Sequence, residues 1–238
     1  MSEVTVKILW LYDDLLDLYG DSGNLLLLER RIQGMGHTCV IEKKSIGDTL
    51  EFAGYDLVYL GPGKYKNLMA AAKHLVQYRD ALKAYLEDGG RMLATGSAQV
   101  LFGKSFDGQE CVGLFDYTAQ ETGEVDTHDF VAQMCWDSHA LCYGFVNRTA
   151  KLSSEAARVP MFCLHETTLS QDFPENTEGR IQDGFYGTWM LGPVLVKNPA
   201  LAKAFLKQIL GENFVDYDDS LEEKALRFTL EEFLRKED

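Results

Sequence analysis

Basic side chains are in short supply: 23 Lys and Arg stand against 37 Asp and Glu in 238 residues, a formal net charge of −14. A chain of that sign repels phosphate backbones and anionic headgroups, which argues against nucleic acid and membrane surfaces as general partners. Long apolar runs are missing too. Stretches such as Ile8 to Tyr12 fall far short of the ~20 residues that cross a bilayer. The opening Met1-Ser2-Glu3-Val4 lacks the basic flank and apolar core of a signal peptide. Cysteine is sparse and odd in number, five residues at 39, 111, 135, 142 and 163 without regular spacing, which argues against a disulfide scaffold. What is left, with 46% hydrophobic side chains, is an acidic cytoplasmic domain of one large core, with room for an appended tail.

The first hundred residues alternate strand and helix patterns. Val4 to Tyr12 is β-branched and aromatic, apolar enough for burial on both faces. The loop Tyr19-Gly20-Asp21-Ser22-Gly23-Asn24 follows, in which Asp21 or Ser22 can cap a helix carrying Leu25 to Leu28 and Ile32 inward. Thr38 to Glu42 and Tyr55 to Leu60 read as the next strands. A long helical pattern from about Lys66 to Glu87 places Leu68, Leu75, Leu82 and Leu86 on one face, and Arg91 to Thr95 is a fourth strand. This order predicts an α/β fold, a mostly parallel sheet with helices on both faces. After Gly103 the pattern turns antiparallel: Glu124 to Met134 and Leu141 to Val146 suggest a hairpin region. Lys151 to Gly184 is irregular apart from a short strand at Met161 to Leu164, and Phe185 to Leu191 is again strand-like. Asn198-Pro199 opens a helix that Gly211 closes. The expected division is a domain over 1–211 and an amphipathic tail over 212–238, with nine acids and four bases in 216–238.

Chemistry in such a sheet gathers beyond the carboxyl ends of its strands. Two ends stand out, Leu60-Gly61-Pro62-Gly63 and Ala94-Thr95-Gly96-Ser97-Ala98-Gln99. The second has the small residues of a nucleophile elbow, although tight turns after buried strands need small residues for steric reasons alone. His128, Cys135, His139, Cys142, Cys163 and His165 offer thiols and imidazoles, the ligands zinc favours. Their spacing contains no Cys-x-x-Cys pair, so no metal is expected. Gly20-Asp21-Ser22-Gly23 has no P-loop lysine and is read as a helix entry. No cofactor is expected.

Taken in order, Leu18-Tyr19-Gly20-Asp21-Ser22-Gly23-Asn24, Leu60-Gly61-Pro62-Gly63, Thr95-Gly96-Ser97-Ala98-Gln99 and Gly187-Thr188-Trp189-Met190-Leu191-Gly192-Pro193-Val194-Leu195-Val196-Lys197-Asn198-Pro199 resemble the class I glutamine amidotransferases. The resemblance is to the cobyric acid synthase (CobQ) type, and within it to the GatD family, the glutaminase subunits of lipid II isoglutaminyl synthase. Gly113-Leu114-Phe115-Asp116 and Gly144-Phe145-Val146-Asn147-Arg148-Thr149 fall at related segments, so the likeness spans roughly residues 6 to 210. It implies a flavodoxin-like fold and a pocket for glutamine or a related small molecule lined by Gly61, Gly63, Gly96, Ser97, Gln99, Asn147 and Arg148. It also implies a partner, a Mur-ligase-like (MurT-type) synthetase subunit acting on cell-wall precursors. A cobyric acid-type amidation is the alternative within the fold, but those enzymes carry a synthetase domain for which this chain has no room.

In that family an elbow Cys attacks the glutamine amide, a His moves the proton, and backbone N–H groups hold the oxyanion. The elbow Cys-Gly-Gly-x-Gln, aligned on Gln99, puts Thr95 at the nucleophile position; a gap shifted by one puts Gly96 there. The base falls on Leu191, the oxyanion turn reads Gly61-Pro62-Gly63 with no N–H on Pro62, and Asn-His-Gly-Gly-Arg-Thr shortens to Asn147-Arg148-Thr149. The expectation is a retained scaffold and a lost hydrolytic site. The alternative is an active subunit with a non-standard or partner-completed site.

Overall fold

A computed structural model describes residues 3–137, 140–153, 159–165 and 176–235. Strand β1 (Thr5–Leu11) is followed by helix α1 (Gly23–Gly34), β2 (Thr38–Lys44), β3 (Leu57–Leu60), α2 (Tyr65–Leu75), α3 (Arg79–Glu87) and β4 (Met92–Thr95). Every residue of β3 and β4 is buried, as the unbroken apolar runs require of strands covered by helices on both faces. β12 (Phe185–Thr188) arrives from far along the chain and pairs parallel with β4, and β11 (Arg180–Gln182) lies antiparallel at the edge. The sheet order is β11-β12-β4-β3-β1-β2, so the expected mostly parallel α/β architecture is present. Helix α4 (Val194–Lys197) leads into α5 (Pro199–Leu210), which starts at the expected Asn198-Pro199 and ends at Gly211 with φ +54°.

The second half builds another sheet. β5 (Ser105–Phe106) and β6 (Gln109–Glu110) form a small hairpin, and β5 pairs parallel with β7 (Thr118–Met134). The predicted antiparallel partners are β7 and β8 (Leu141–Leu152), both longer than their sequence pattern implies, with an irregularity between Glu121 and Asp126. β9 (Phe162–Leu164) adds to the end of β7, and β10 (Thr177–Glu178) adds to β9. The last helix, α6 (Ser220–Arg235), gives the acidic tail a defined place. Phe233 packs edge-on against Tyr143, and Glu222 pairs with Arg31 of α1.

Two expectations need correction. The long helix over 66–87 is two helices, broken by a tight turn at Val76–Tyr78. The break redirects Arg79, whose guanidinium donates to the carbonyl of Cys111 at 2.8 Å and pairs with Glu110 at 2.7 Å. Neither Asp21 nor Ser22 caps α1 through its side chain; the Asp21 carboxyl turns inward instead. Among the described residues no helix is long and apolar enough to cross a membrane.

Candidate functional site

The elbow is built where β4 stops. Thr95 is still extended, with φ −106° and ψ 148°, and the next residue, Gly96, has φ +54° before a tight helical turn over Gly96–Phe102. A side chain in that left-handed conformation costs roughly 1–2 kcal/mol, so glycine is the residue this apex accepts most easily. A Cβ placed on Gly96 would overlap Leu191 Cδ2 and lie 3.0 Å from Pro62 Cβ. Thus the elbow, the Gly61-Pro62-Gly63 turn and Leu191 converge on one point, and that point is already filled by two apolar side chains.

The surrounding contacts are equally close. The Ser97 hydroxyl accepts from the Gly63 N–H and reaches the Gly63 carbonyl, each at 3.1 Å. A Cβ on Gly61 would stand 2.6 Å from the Leu16 carbonyl oxygen, and one on Gly63 would overlap the Leu16 side chain. These glycines let the loop over 15–18 lie against the turn, and Leu18 donates to the Pro62 carbonyl at 3.0 Å. Leu191, also buried, is tied to β8 by its N–H to the Phe145 carbonyl at 2.9 Å.

Thr95 points elsewhere. Its hydroxyl donates to Asp21 Oδ2 and lies 3.3 Å from the Leu60 carbonyl. The Tyr59 hydroxyl donates to the same carboxylate oxygen and accepts from Asn24 Nδ2 at 3.2 Å. Asn24 Oδ1 in turn receives the Leu195 N–H at 2.8 Å. Asp21, Asn24, Tyr59 and Thr95 are all fully buried. Burial pushes the Asp21 carboxyl above its ordinary value of 3.8, against the opposing pull of the Thr95 and Tyr59 hydroxyls and, more weakly, the Gly192 amide. Among the described residues Asp21 Oδ1 makes no well-formed hydrogen bond. Burial, followed by the nearby Asp21, raises the Tyr59 phenol well above its usual range. The result is a polar knot joining β3, β4, the start of α1 and α4. Sequence reading missed it, although a Tyr inside a fully buried strand is a signal, since its hydroxyl requires a partner.

Gln99 is also buried and faces inward, its Oε1 close against Gly187 of β12 and its Nε2 without a hydrogen-bond partner among the described residues. Asn147 is half-buried and donates to the Tyr19 hydroxyl at 3.1 Å. Arg148 lies under Trp189, 5.3 Å from the ring centre, and its Nε donates to Asp126 Oδ2 at 2.7 Å. Burial raises the Asp126 carboxyl, but the Arg148 contact, with help from His128, outweighs it and holds it below 3.8. The structure therefore gathers Gly61, Gly63, Gly96, Ser97 and Leu191 at the elbow. Asn147 and Arg148 lie on the adjoining β8, while Thr95 and Gln99 point into the interior.

Hydrolysis of an amide through an acyl intermediate needs a nucleophile beside a base. Gly96 has no side chain, Leu191 accepts no proton, Pro62 offers no N–H, and the Ser97 hydroxyl is held by Gly63. Cys39, Cys111 and Cys142 are buried, and burial pushes their thiols up to about 11, 11 and 12, far from the thiolate form. Cys135 and Cys163 form a disulfide. That single bridge modifies the expectation from cysteine count, which argued only against a framework of several. His139 lies outside the described residues. Among the described residues no three His, Cys, Asp or Glu side chains gather to hold a metal.

The chain is 24% identical over 227 residues to subunit GatD of lipid II isoglutaminyl synthase (glutamine-hydrolyzing) from Streptococcus pneumoniae, covering 88% of this chain and 82% of that protein. It is 25% identical over 201 residues to the GatD subunit of the same synthase from Staphylococcus aureus, with 82% and 80% covered. A crystal structure of a glutamine amidotransferase superposes with a TM-score of 0.55 at 14% identity, over 84% of this chain and 98% of that one. No protein-family profile matches the chain. The structural likeness establishes the glutamine amidotransferase-like fold, and the sequence similarity is to GatD-type subunits.

Proposed function

We propose that this protein is a GatD-type amidotransferase-like subunit that has lost glutaminase chemistry and serves as the partner of a Mur-ligase-like synthetase acting on cell-wall precursors in the cytoplasm. One observation carries the reading. The left-handed elbow residue, which by conformation holds the family's nucleophile, is Gly96, and it faces Leu191 and Pro62 rather than an imidazole and an N–H. By spacing to Gln99 the nucleophile falls on Thr95 instead. On either alignment the thiol is absent and the base position is apolar. Losing the nucleophile alone leaves only residual catalysis from binding and oxyanion contacts.

A second reading draws on the Thr95–Asp21 contact, a hydroxyl beside a carboxylate. A partner that opened the knot would expose a Thr nucleophile with an acidic neighbour. Both residues are fully buried in the free chain, so this reading requires the partner to move β4 or α1.

Glutamate release from glutamine, measured for the chain alone and co-purified with a Mur-ligase-like subunit, separates the two. The expected result is no turnover above background in either case, with a stable complex. Turnover that disappears in Thr95→Ala would overturn the first reading and support the second. Gly96→Cys combined with Leu191→His and Pro62→Gly tests the alignment, and recovered glutaminase activity would place the ancestral nucleophile at the apex.

A further inference from the structure

The disulfide lies away from the elbow, yet a short chain of contacts leads from it to Leu191. Cys163 is exposed on β9 and Cys135 half-buried just beyond the end of β7, with Cα atoms 6.0 Å apart. β9 pairs with β7 over only three residues, Ala132 to Met134, and the Cys135 N–H extends that ladder to the Met161 carbonyl at 3.0 Å. On its other edge β9 pairs with β10, Cys163 opposite Thr177 and Phe162 opposite Glu178. Glu178 is buried and accepts both the Thr188 hydroxyl and the Trp189 N–H, each at 2.7 Å. The Thr188 oxygen then accepts the Met190 N–H at 3.0 Å. Leu191, which fills the elbow, is the next residue.

We propose that Cys135–Cys163 is a reversible redox couple that sets how firmly the Thr188–Leu191 turn is held against the elbow. This inference rests on these contacts and stands whether or not the chain hydrolyses glutamine. A small thiol of the glutathione class attacks the sulfur of Cys163, an exposed residue. The new sulfur–sulfur bond forms as the Cys135–Cys163 bond breaks, and the electron pair leaves on Cys135, which takes a proton from water. A second thiol resolves the mixed disulfide, leaving two protein thiols and one oxidised small disulfide. The protein bridge is thus reduced and two small thiols are oxidised. The three other cysteines are buried, so the exchange is confined to this pair. Opening removes the covalent tie across the three-residue β7–β9 ladder, and β9 then carries β10 and Glu178 less rigidly.

The test uses the whole protein equilibrated at graded ratios of reduced to oxidised glutathione. Non-reducing peptide mass analysis reads the bridge, and amide hydrogen exchange reads Trp189 and Met190. The expected result is a Cys135–Cys163 bridge that opens across the series, with the Trp189 and Met190 amides exchanging about tenfold faster when reduced and the amides of β1 unchanged. Cys163→Ser, or Cys135→Ser if the first folds poorly, is expected to exchange at the fast rate at every ratio. Absence of the bridge under oxidised glutathione overturns the proposal. So does a bridge that opens without any change at Trp189 and Met190, which would show a purely local crosslink.

Discussion

The sharpest test of the filled elbow is a double-mutant cycle on Gly96 and Leu191. Gly96→Ala places a methyl group on a residue with φ +54°, overlapping Leu191 Cδ2 and 3.0 Å from Pro62 Cβ. The backbone contribution is roughly 1–2 kcal/mol, and forcing an extra methyl into a packed core adds roughly 1–3 kcal/mol. The single variant should therefore lose about 2–5 kcal/mol. Leu191→Ala removes a buried side chain and should lose about 2–5 kcal/mol, the cost depending on how far its neighbours relax into the space.

If the two residues were independent, the double variant would lose the sum, a large fraction of a typical domain stability of about 5–15 kcal/mol. The geometry predicts otherwise, because the methyl on residue 96 enters the volume vacated by Leu191. The steric part of the first cost disappears and part of the cavity is filled. The double variant should be less destabilised than the sum by about 1–3 kcal/mol. Urea unfolding followed by circular dichroism supplies the four free energies, and the left-handed backbone cost remains in both alanine-96 variants, so it cancels from the coupling. Additivity within about 0.5 kcal/mol would refute the claim that the apex faces Leu191.

Two further outcomes follow from the charges. The Asp21 carboxyl is raised above 3.8 by burial, so the native state binds its proton more tightly than the unfolded chain. That stability is fully present below pH 3.8 and is lost as pH rises through the native value. Asp21→Asn should therefore flatten this decline in stability–pH curves and gain on the wild type as pH rises; parallel curves would show that the carboxyl is not strained. Asp126 has the opposite sign, held below 3.8 by Arg148 against burial. Its contribution is present above the ordinary value and is lost as pH falls through the native one. Arg148→Met should cost about 1–3 kcal/mol at neutral pH, a range discounted for partial solvent screening. The cost should shrink in acid as Asp126 takes a proton. A penalty independent of pH would assign Arg148 a packing role under Trp189 alone.

The first hundred residues were legible because their strands are unbroken apolar runs and their helices carry long one-sided stripes. The same regularity concealed the break between α2 and α3. Leu68, Leu75, Leu82 and Leu86 are all buried, so the apolar pattern continues across the turn. Past the turn, Arg79 contacts residues 110–112, partners 31 to 33 positions away in the chain that no local pattern registers. Strands β10 and β11, of two and three residues around Gly179 with φ +73°, are too short for any periodicity to register. At the elbow, residue types marked the location but could not choose between Thr95 and Gly96. Spacing to Gln99 favours Thr95, whereas the backbone puts the left-handed residue at Gly96.

That one-residue difference changes the physical account of the proposed loss. With Thr95 at the apex, a hydroxyl would have replaced a thiol in an otherwise open site. With Gly96 there, the apex is a packing contact with Leu191 and Pro62, and Thr95 belongs to a separate polar layer with Asp21 and Tyr59. The contrast between the two layers follows from what each must satisfy. The mouth is filled with Leu191 and Pro62, side chains that require no partners. The knot beneath retains Asp21, Asn24, Tyr59 and Thr95, whose mutual hydrogen bonds make removal of any one expensive, since the others would be left buried and unpaired. Chemistry at the surface can therefore be erased by a few apolar substitutions while the buried polar network that fixes β3, β4, α1 and α4 stays in place. Under the proposed loss of glutaminase chemistry, that separation lets the glutamine amidotransferase-like fold persist without the reaction.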